Sequence, residues 1–206
     1  MNFFGHAAAA RQVDDDPAFL LGAMAPDLLP LCGAVARAET SPKVAAGQAH
    51  HVATDAVFHA NPAFTALQAW AARTLIGGGV ARGAARGAAH VGIELFLDGV
   101  LAADVRSRDA FVRSLAGAEA GRAPFVWCDE VSRLRWRTLV VRLRSGTIPD
   151  AYRDSDFVAA RLVGALASRP RLALSDRDAA VLRRFLPELK ARVTAEARQL
   201  THAVMA

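Results

Sequence analysis

The chain has 206 residues, of which 53% are apolar and only 7% aromatic, so it is long enough for one domain with a sizeable core. Alanine is abundant and period-two runs of β-branched residues are scarce, which favours an all-α fold. The net charge of +5 comes almost entirely from arginine and favours an acidic partner or a phosphate-bearing substrate, and no nucleic-acid motif is present.

Cysteine content and hydropathy bear on the compartment. Cys32 and Cys128 are too few for a disulfide framework, so the sequence predicts a reducing, cytoplasmic environment. The amino terminus lacks the basic region of a signal peptide, and no apolar run free of charge and proline is long enough to span a membrane. We therefore expect neither a signal peptide nor a membrane span.

Helix boundaries are marked by capping residues followed by proline. Asp16-Pro17, Ser41-Pro42 and Asn61-Pro62 each place an N-cap residue before a proline at the first helical position. Ser175 and Asp178 resemble a capping pair, and Pro187 is expected to kink or split the last helix. In chain order, the predicted helices cover roughly 2–12, 17–25, 27–37, 42–60, 62–76, 80–104, 107–116, 124–145, 155–168 and 175–204. We expect one helical domain over 1–206, with a metal site built from 1–104 and basic helices over 124–204.

The predicted helix over 42–60 carries His51, Asp55 and His59, which we call the first ladder. Steps of four residues turn only about 40° on an α-helix, so the three side chains share one face. A single histidine in such apolar surroundings is more often a core residue than a ligand, but three ionisable groups beside His50 favour a metal site. His51 and His59 lie about 12 Å apart along the axis. They are too far apart to share one ion, so either two metals bind or one end of the ladder contacts substrate.

The predicted helix over 80–104 carries a second ladder with the same spacing, formed by His90, Glu94 and Asp98. Its neighbours are apolar almost all round, which is typical of a buried helix. Buried ionisable groups need partners, and facing ladders of histidine and carboxylate are suited to metal ions. The alternative is that these groups pair with arginines such as Arg82 and Arg86, or that the face is solvated.

Two further residues complete the candidate site. Asp27 is the only charged residue between Pro17 and Arg37, and the alternative to a ligand is a turn or N-cap carboxylate beside Pro26. His6 lies on the first predicted helix. The Gly-x-Ser-x-Gly elbow of hydrolases and the phosphate-binding glycine loop are both absent, so a metal-dependent hydrolase is the best interpretation.

Four blocks, taken in order, resemble the acyl carrier protein phosphodiesterase (acyl carrier protein hydrolase) family, whose fold is similar to the all-α HD phosphohydrolases. They are Met1-Asn-Phe-Phe-Gly-His6, Leu20-Leu-Gly22 leading to Asp27-Leu28, Gly47 to Phe64, and Glu94 to Ala102. Phe185-Leu-Pro-Glu-Leu189 also resembles the family's carboxy-terminal region. The resemblance implies a single-domain helical bundle that is HD-like. It also implies an enzyme of fatty acid metabolism that releases 4′-phosphopantetheine from holo-acyl carrier protein, an acidic partner.

The resemblance and the ladders together define the expected site. The expected catalytic residues are Asp27, His51 and Asp55. The expected metal ligands are His6, Asp27, His51, Asp55, His59, His90, Glu94 and Asp98, and the expected substrate-binding residues are His50, Asn61 and Arg86. Mixed histidine and carboxylate ligands suit Mn or Zn, with Fe and Mg as alternatives.

The chain also departs from the family pattern. Val52 stands where the family has an arginine, Gly99 where it has a histidine, and His59 and Asn61 replace its Asp and His before the proline. Other substrates therefore stay open: a small phosphodiester, as in zinc-dependent phospholipase C-like enzymes, or a nucleotide. A non-enzymatic helical binding module with a structural or vestigial metal site is the remaining alternative.

Overall fold

The computed structural model describes residues 1–32, 41–118, 125, 127–145 and 147–205. Within these ranges the chain forms α-helices joined by short turns, with one 3₁₀ helix and no strand, so the expected all-α fold is confirmed. The helices are α1 (Phe3–Val13), α2 (Pro17–Leu31), α3 (Pro42–Ala60), α4 (Pro62–Gly77), α5 (Arg82–Leu101), α6 (Val105–Gly117), α7 (Glu130–Arg144), α8 (Ser155–Ala167) and α9 (Asp176–Met205), and the 3₁₀ helix is Asp150–Arg153.

The predicted caps are confirmed. The side chains of Asp16, Ser41 and Asn61 each accept a hydrogen bond from a backbone N–H in the first turn of the helix that follows. Ser175 and Asp178 form a reciprocal capping box, because each side chain bonds the backbone N–H of the other. Proline at the first helical position requires no N–H, so these boundaries follow from local chemistry.

Three predicted boundaries were wrong. The helices expected at 17–25 and 27–37 are one helix that continues through Pro26 to Leu31. Apolar burial along this helix offsets the hydrogen bond that an interior proline removes. Helix α6 begins at Val105, two residues before the predicted start at 107, because Asp104 caps it, and Asp129 caps an α7 that begins at Glu130, well after 124. The predicted helical residues 33–37 and 124 lie outside the described residues.

Helix α5 is the centre of the bundle. It contacts α1, α4, α8, α9 and the 3₁₀ helix, and apolar side chains such as Ile93, Phe96 and Leu97 are buried on several of its faces. Helix α9 is 30 residues long, is not split at Pro187, and packs along α8, α5, α4 and α3. The guanidinium of Arg192 on α9 lies 3.9 Å above the ring of Trp70 on α4, a cation–π contact that joins these two helices.

Helices α2 and α3 pack most closely, because their backbones touch at two glycines. A Cβ on Gly22 would lie 2.2 Å from the carbonyl oxygen of Val44, and one on Gly47 would lie 2.1 Å from the carbonyl oxygen of Phe19. No side chain fits at either distance. This contact places His51, one turn after Gly47, against Ala23, the residue after Gly22, and so sets the position of the first ladder.

We expect Gly47→Ala to lower the free energy of unfolding by at least about 1–3 kcal/mol, because a methyl group there forces the two helix backbones apart. Gly164→Ala is the matched control, since a Cβ at that exposed position in α8 meets nothing and should stabilise the helix by about 0.5–1 kcal/mol. Urea denaturation measures both. Equal effects of the two variants would contradict the packing argument.

Candidate metal centre

Helices α1, α2, α3 and α5 bring the predicted ligands together in two groups. His6, Asp27 and His51 form one group, which we call the His6 trio, and their ligand atoms lie within 4.8 Å of one another. His59, His90 and Glu94 form the second, the Glu94 trio, with the same spacing. Each trio offers two imidazoles and one carboxylate, the donor set of many catalytic Zn, Mn and Fe sites. The first ladder thus contributes one histidine to each trio.

Asp55 lies between the two trios and faces both. Its Oδ1 is 3.4 Å from Nε2 of His6, and its Oδ2 is 3.1 Å from Nδ1 of His59. A carboxylate with one oxygen directed at each of two sites is the arrangement that bridges a pair of cations. Because four-residue spacing puts Asp55 midway along the first ladder, the helix itself produces this arrangement.

Positive charge already lies at the point where the carboxylates converge. The buried α-ammonium of Met1 is 3.0 Å from Oδ1 of Asp55 and 3.3 Å from Oε1 of Glu94. Glu94 also contacts Nε2 of His59 at 3.1 Å and Nε2 of His90 at 3.2 Å. In the part of the chain that the structure describes, the partners of Glu94 are therefore these cationic and imidazole groups, and the expected alternative of pairing with Arg82 or Arg86 was wrong.

The imidazoles of the His6 trio are oriented through their other ring nitrogens. His51 Nδ1 donates to the carbonyl oxygen of Ala23 over 2.9 Å. The Thr54 hydroxyl donates to the His50 carbonyl oxygen, so its oxygen accepts from His6 Nδ1 at 3.3 Å. Both Nε2 atoms are then free of protons and available as ligands. Fixing the tautomer through the second nitrogen is the usual support of metal-binding histidines.

In the Glu94 trio the equivalent support comes from α4. The amide of Gln68 contacts His90 Nδ1 at 2.9 Å. With the amide nitrogen towards the ring, Nδ1 accepts and Nε2–H donates to Glu94. Turning the amide by 180° places its oxygen there instead, which moves the proton to Nδ1 and frees Nε2. The orientation of the Gln68 amide and the tautomer of His90 are therefore coupled.

Two buried atoms of the His6 trio have no hydrogen-bond partner among the residues that the structure describes. Nε2 of His6 and Oδ2 of Asp27 are both inaccessible to solvent and unsatisfied, although His6 lies near Asp55. Leaving a buried polar group without a partner costs about 1–3 kcal/mol. A cation between these atoms would satisfy both, so the residues present fit a divalent metal ion.

The protonation states of the His6 trio suit this interpretation. Burial lowers the pKa of His6 to about 4, and burial also lowers the pKa of His51, so both rings are neutral at pH 7 as metal binding requires. Burial raises the pKa of Asp27 to about 8, and the negative charge of Glu94 adds to this. Without a cation, Asp27 therefore retains a proton at neutral pH.

At Asp55 and in the Glu94 trio, by contrast, the surroundings favour the ionised carboxylates. Burial opposes ionisation of Asp55 and Glu94, but His59 and the Met1 ammonium contact both carboxylates and hold both pKa values well below their usual range. The hydrogen bonds to Asp55 and Glu94 raise the pKa of His59 to about 9. Without a metal, a protonated His59 thus neutralises the two carboxylates, and a cation would replace that proton.

Asp98, a predicted metal ligand, belongs to neither trio, and its carboxylate lies at the start of α1. It accepts hydrogen bonds from the Asn2 amide, the Phe4 N–H and the Gly5 N–H at 2.8–3.2 Å. Burial raises the pKa of Asp98 to about 7 against these donors. Its carboxylate therefore caps the amino terminus of α1 from α5, and this fixes His6 one turn further along α1.

The three predicted substrate-binding residues are placed apart. His50 lies outside both trios, with its ring 5.4 Å from that of Phe19. Asn61 caps α4 and donates to the backbone carbonyls of Gln199 and Leu200, so we assign it a structural role in place of the predicted contact with substrate. Arg86 lines a groove that ends at His90.

Sequence reasoning missed Thr54, Gln68 and the contacts of Met1 and Asn2. Thr54 carried a weak signal, because it follows His51 by three residues on the same helix. Gln68 carried none, since its partner His90 lies on another helix and no spacing along the chain connects them.

No protein-family model, no curated protein and no solved structure matched this chain. None of the helices in the described part of the chain is long and apolar enough to cross a membrane. The case for a function therefore rests on the geometry of the two trios, with the family resemblance as a hypothesis.

We expect Thr54→Val to weaken metal binding by about 10–100-fold, because it removes the acceptor that holds the tautomer of His6. Thr74→Val is the matched control, since its hydroxyl also bonds the carbonyl four residues earlier but lies in α4 on the surface. Competition titration with a metal-chelating dye measures the affinity. Equal affinities for the two variants would remove Thr54 from the site.

With both proteins in excess chelator, we expect Asp27→Asn to become more stable relative to the wild type as the pH rises from 3.8 to about 8. In this range the folded wild type retains a proton on Asp27 that the unfolded chain releases, so the wild type loses stability as pH increases. Asparagine cannot ionise and escapes that loss. Chemical denaturation at several pH values measures the difference, and Asp109→Asn on the surface of α6 is the control. A difference that does not change with pH would contradict the assignment.

Proposed function

We propose that this chain is a metal-dependent phosphodiester hydrolase with one divalent cation in each trio. The observation that carries the proposal is Asp55, whose two oxygens face two separate groups of two histidines and a carboxylate. The unsatisfied buried atoms of His6 and Asp27 support it, because an all-protein network leaves them without partners.

Each residue of the centre has a place in this chemistry. Bound cations would lower the pKa of a water molecule and neutralise the charge that develops on a phosphoryl group. His6, Asp27 and His51 would hold one cation, and His59, His90 and Glu94 the other. Asp55 would bridge them.

The protein's own hydroxyl at the centre does not provide a nucleophile. Thr54 donates its proton to the backbone carbonyl oxygens of His50 and His51, at 2.9 and 3.1 Å, and is buried. Hydrolysis by water is therefore a better match to the site than a covalent intermediate on a side chain.

Donor chemistry narrows the choice of metal. Two imidazoles with one or two carboxylates suit Mn or Zn, and Fe is close to them. Mg prefers an all-oxygen shell with several waters, so it is the weakest of the four candidates for these trios.

Acyl carrier protein is the first macromolecular substrate to test. Helix α7 exposes Arg133, Arg135, Arg137 and Arg142, a basic surface that suits a small acidic protein of the cytoplasm. The resemblance of the sequence blocks to acyl carrier protein hydrolases points the same way. A small phosphodiester would not need this surface, so turnover of the two substrates separates the alternatives.

We expect protein reconstituted with Mn or Zn to contain about two equivalents of metal and to hydrolyse bis(p-nitrophenyl) phosphate. Asp55→Asn should reduce the metal content to about one equivalent or less and the turnover by at least about 100-fold, because the bridging oxygen is lost. Elemental analysis measures the metal content, and the absorbance of released p-nitrophenolate measures the turnover.

Asp109→Asn on the surface of α6 is the control and should retain both metal and activity. Holo-acyl carrier protein, a phospholipid and a cyclic nucleotide then serve as natural substrate classes. Metal without turnover of any phosphodiester would favour the binding-module alternative. No metal in the wild type, even after soaking with Mn and Zn, would refute the proposal and leave the trios as buried ion-pair networks.

A further inference from the structure

A groove of about 420 Å³ leads away from the Glu94 trio between α4, α5 and the segment that joins α8 to α9. One end is His90, whose Nε2 contacts Glu94 and whose Nδ1 contacts Gln68, and both His90 and Gln68 line the groove. A molecule in the groove therefore lies against His90, one of the three residues of the Glu94 trio. The volume is in the range of sites that bind small molecules.

Two arginines line the groove. Arg86 lies one helical turn before His90 on α5, and Arg169 approaches from the end of α8. Both side chains are exposed, and within the described residues neither forms an ion pair with a carboxylate. Two arginines without a protein anion, beside one groove, suit an anionic ligand.

Much of the remaining lining of the groove is apolar. Leu166, Leu172 and Val91 line it, and Leu166 is buried. Gly87 keeps this part open, because a Cβ there would already lie 3.3 Å from a methyl group of Leu166. A free phosphate would leave this surface without a partner, whereas an apolar chain would cover it.

We propose that the groove binds the non-reacting arm of the substrate, and that this arm is an apolar chain carrying an anionic group of its own. The apolar chain lies along Leu166 and Leu172, and the anionic group contacts Arg86 and Arg169. That this ligand is a substrate rests on the proposed hydrolase function. Binding of such an amphiphile is independent of that function, since none of these four residues belongs to a trio.

The test uses the full chain in excess chelator, titrated with hexyl phosphate by calorimetry. Hexyl phosphate carries an apolar chain and an anion but has no diester to cleave, so the measurement is independent of the metal centre. We expect saturable binding of one molecule per chain. Arg86→Ala and Arg169→Ala should each weaken it by about tenfold or more, as expected for loss of one charged hydrogen-bond donor.

Two variants define the site further. Gly87→Leu should abolish binding by filling the groove, with thermal melting to confirm that the protein is folded. Arg82→Ala is the matched control, because Arg82 is an exposed arginine one turn earlier on the same helix and does not line the groove. It should leave the affinity unchanged.

Ligand controls separate the two parts of the proposal. Inorganic phosphate and hexanol should each bind at least about tenfold more weakly than hexyl phosphate. Equal binding of inorganic phosphate would overturn the apolar part, and equal binding of hexanol would overturn the anionic part. No binding of hexyl phosphate, or binding that Arg86→Ala and Arg169→Ala leave unchanged, would overturn the whole inference while leaving metal-dependent turnover intact.

Discussion

Burying carboxylates among helices is the constraint on which this structure depends, because an unpaired buried charge is more costly than most contacts can offset. Asp27, Asp55, Glu94 and Asp98 all lie in one region of the core, and the charges of the other three raise the pKa of Asp27. Each is managed differently. Asp98 has N–H donors, Asp55 and Glu94 have an ammonium and a protonated His59, and Asp27 retains its proton.

Without a metal ion, protons on His59 and Asp27 balance part of the negative charge. A bound cation would displace both protons, so metal binding would be linked to proton release. The imidazoles of His6 and His51 need no such change, because burial and their fixed tautomers already leave Nε2 free. In the His6 trio only Asp27 would lose a proton, whereas in the Glu94 trio His59 would lose a proton and His90 would need a free Nε2.

Much of the fold followed from local chemistry. The proline-marked caps at Asp16, Ser41 and Asn61 act within one turn, so the sequence alone locates them. The merging of two predicted helices through Pro26 did not follow, because the burial that tolerates an interior proline comes from other helices. Residues 33–40 lie outside the described part of the chain.

The residues of the candidate site were likewise predictable only in part. Four-residue spacing placed His51, Asp55 and His59 on one face. In the structure His51 and His59 belong to different trios, as an axial separation of about 12 Å suggests, and Asp55 lies between the trios. Asp98 looked like a ligand because it continues the second ladder. In sequence, a carboxylate that caps a distant helix and one that binds metal are indistinguishable. Gln68 could not be recognised, since its role depends on how α4 packs against α5.

The hydrogen bond from Gly5 to Asp98 joins residues 93 positions apart, and the contact of Thr54 with His6 joins residues 48 apart. The candidate metal centre is therefore assembled only when distant parts of the chain have met. An ion held by His6, Asp27 and His51 would tie together three helices and close two long loops, as a disulfide does. The cofactor would then be a reversible cross-link, and the concentration of free metal would set how firmly the amino-terminal helix is held.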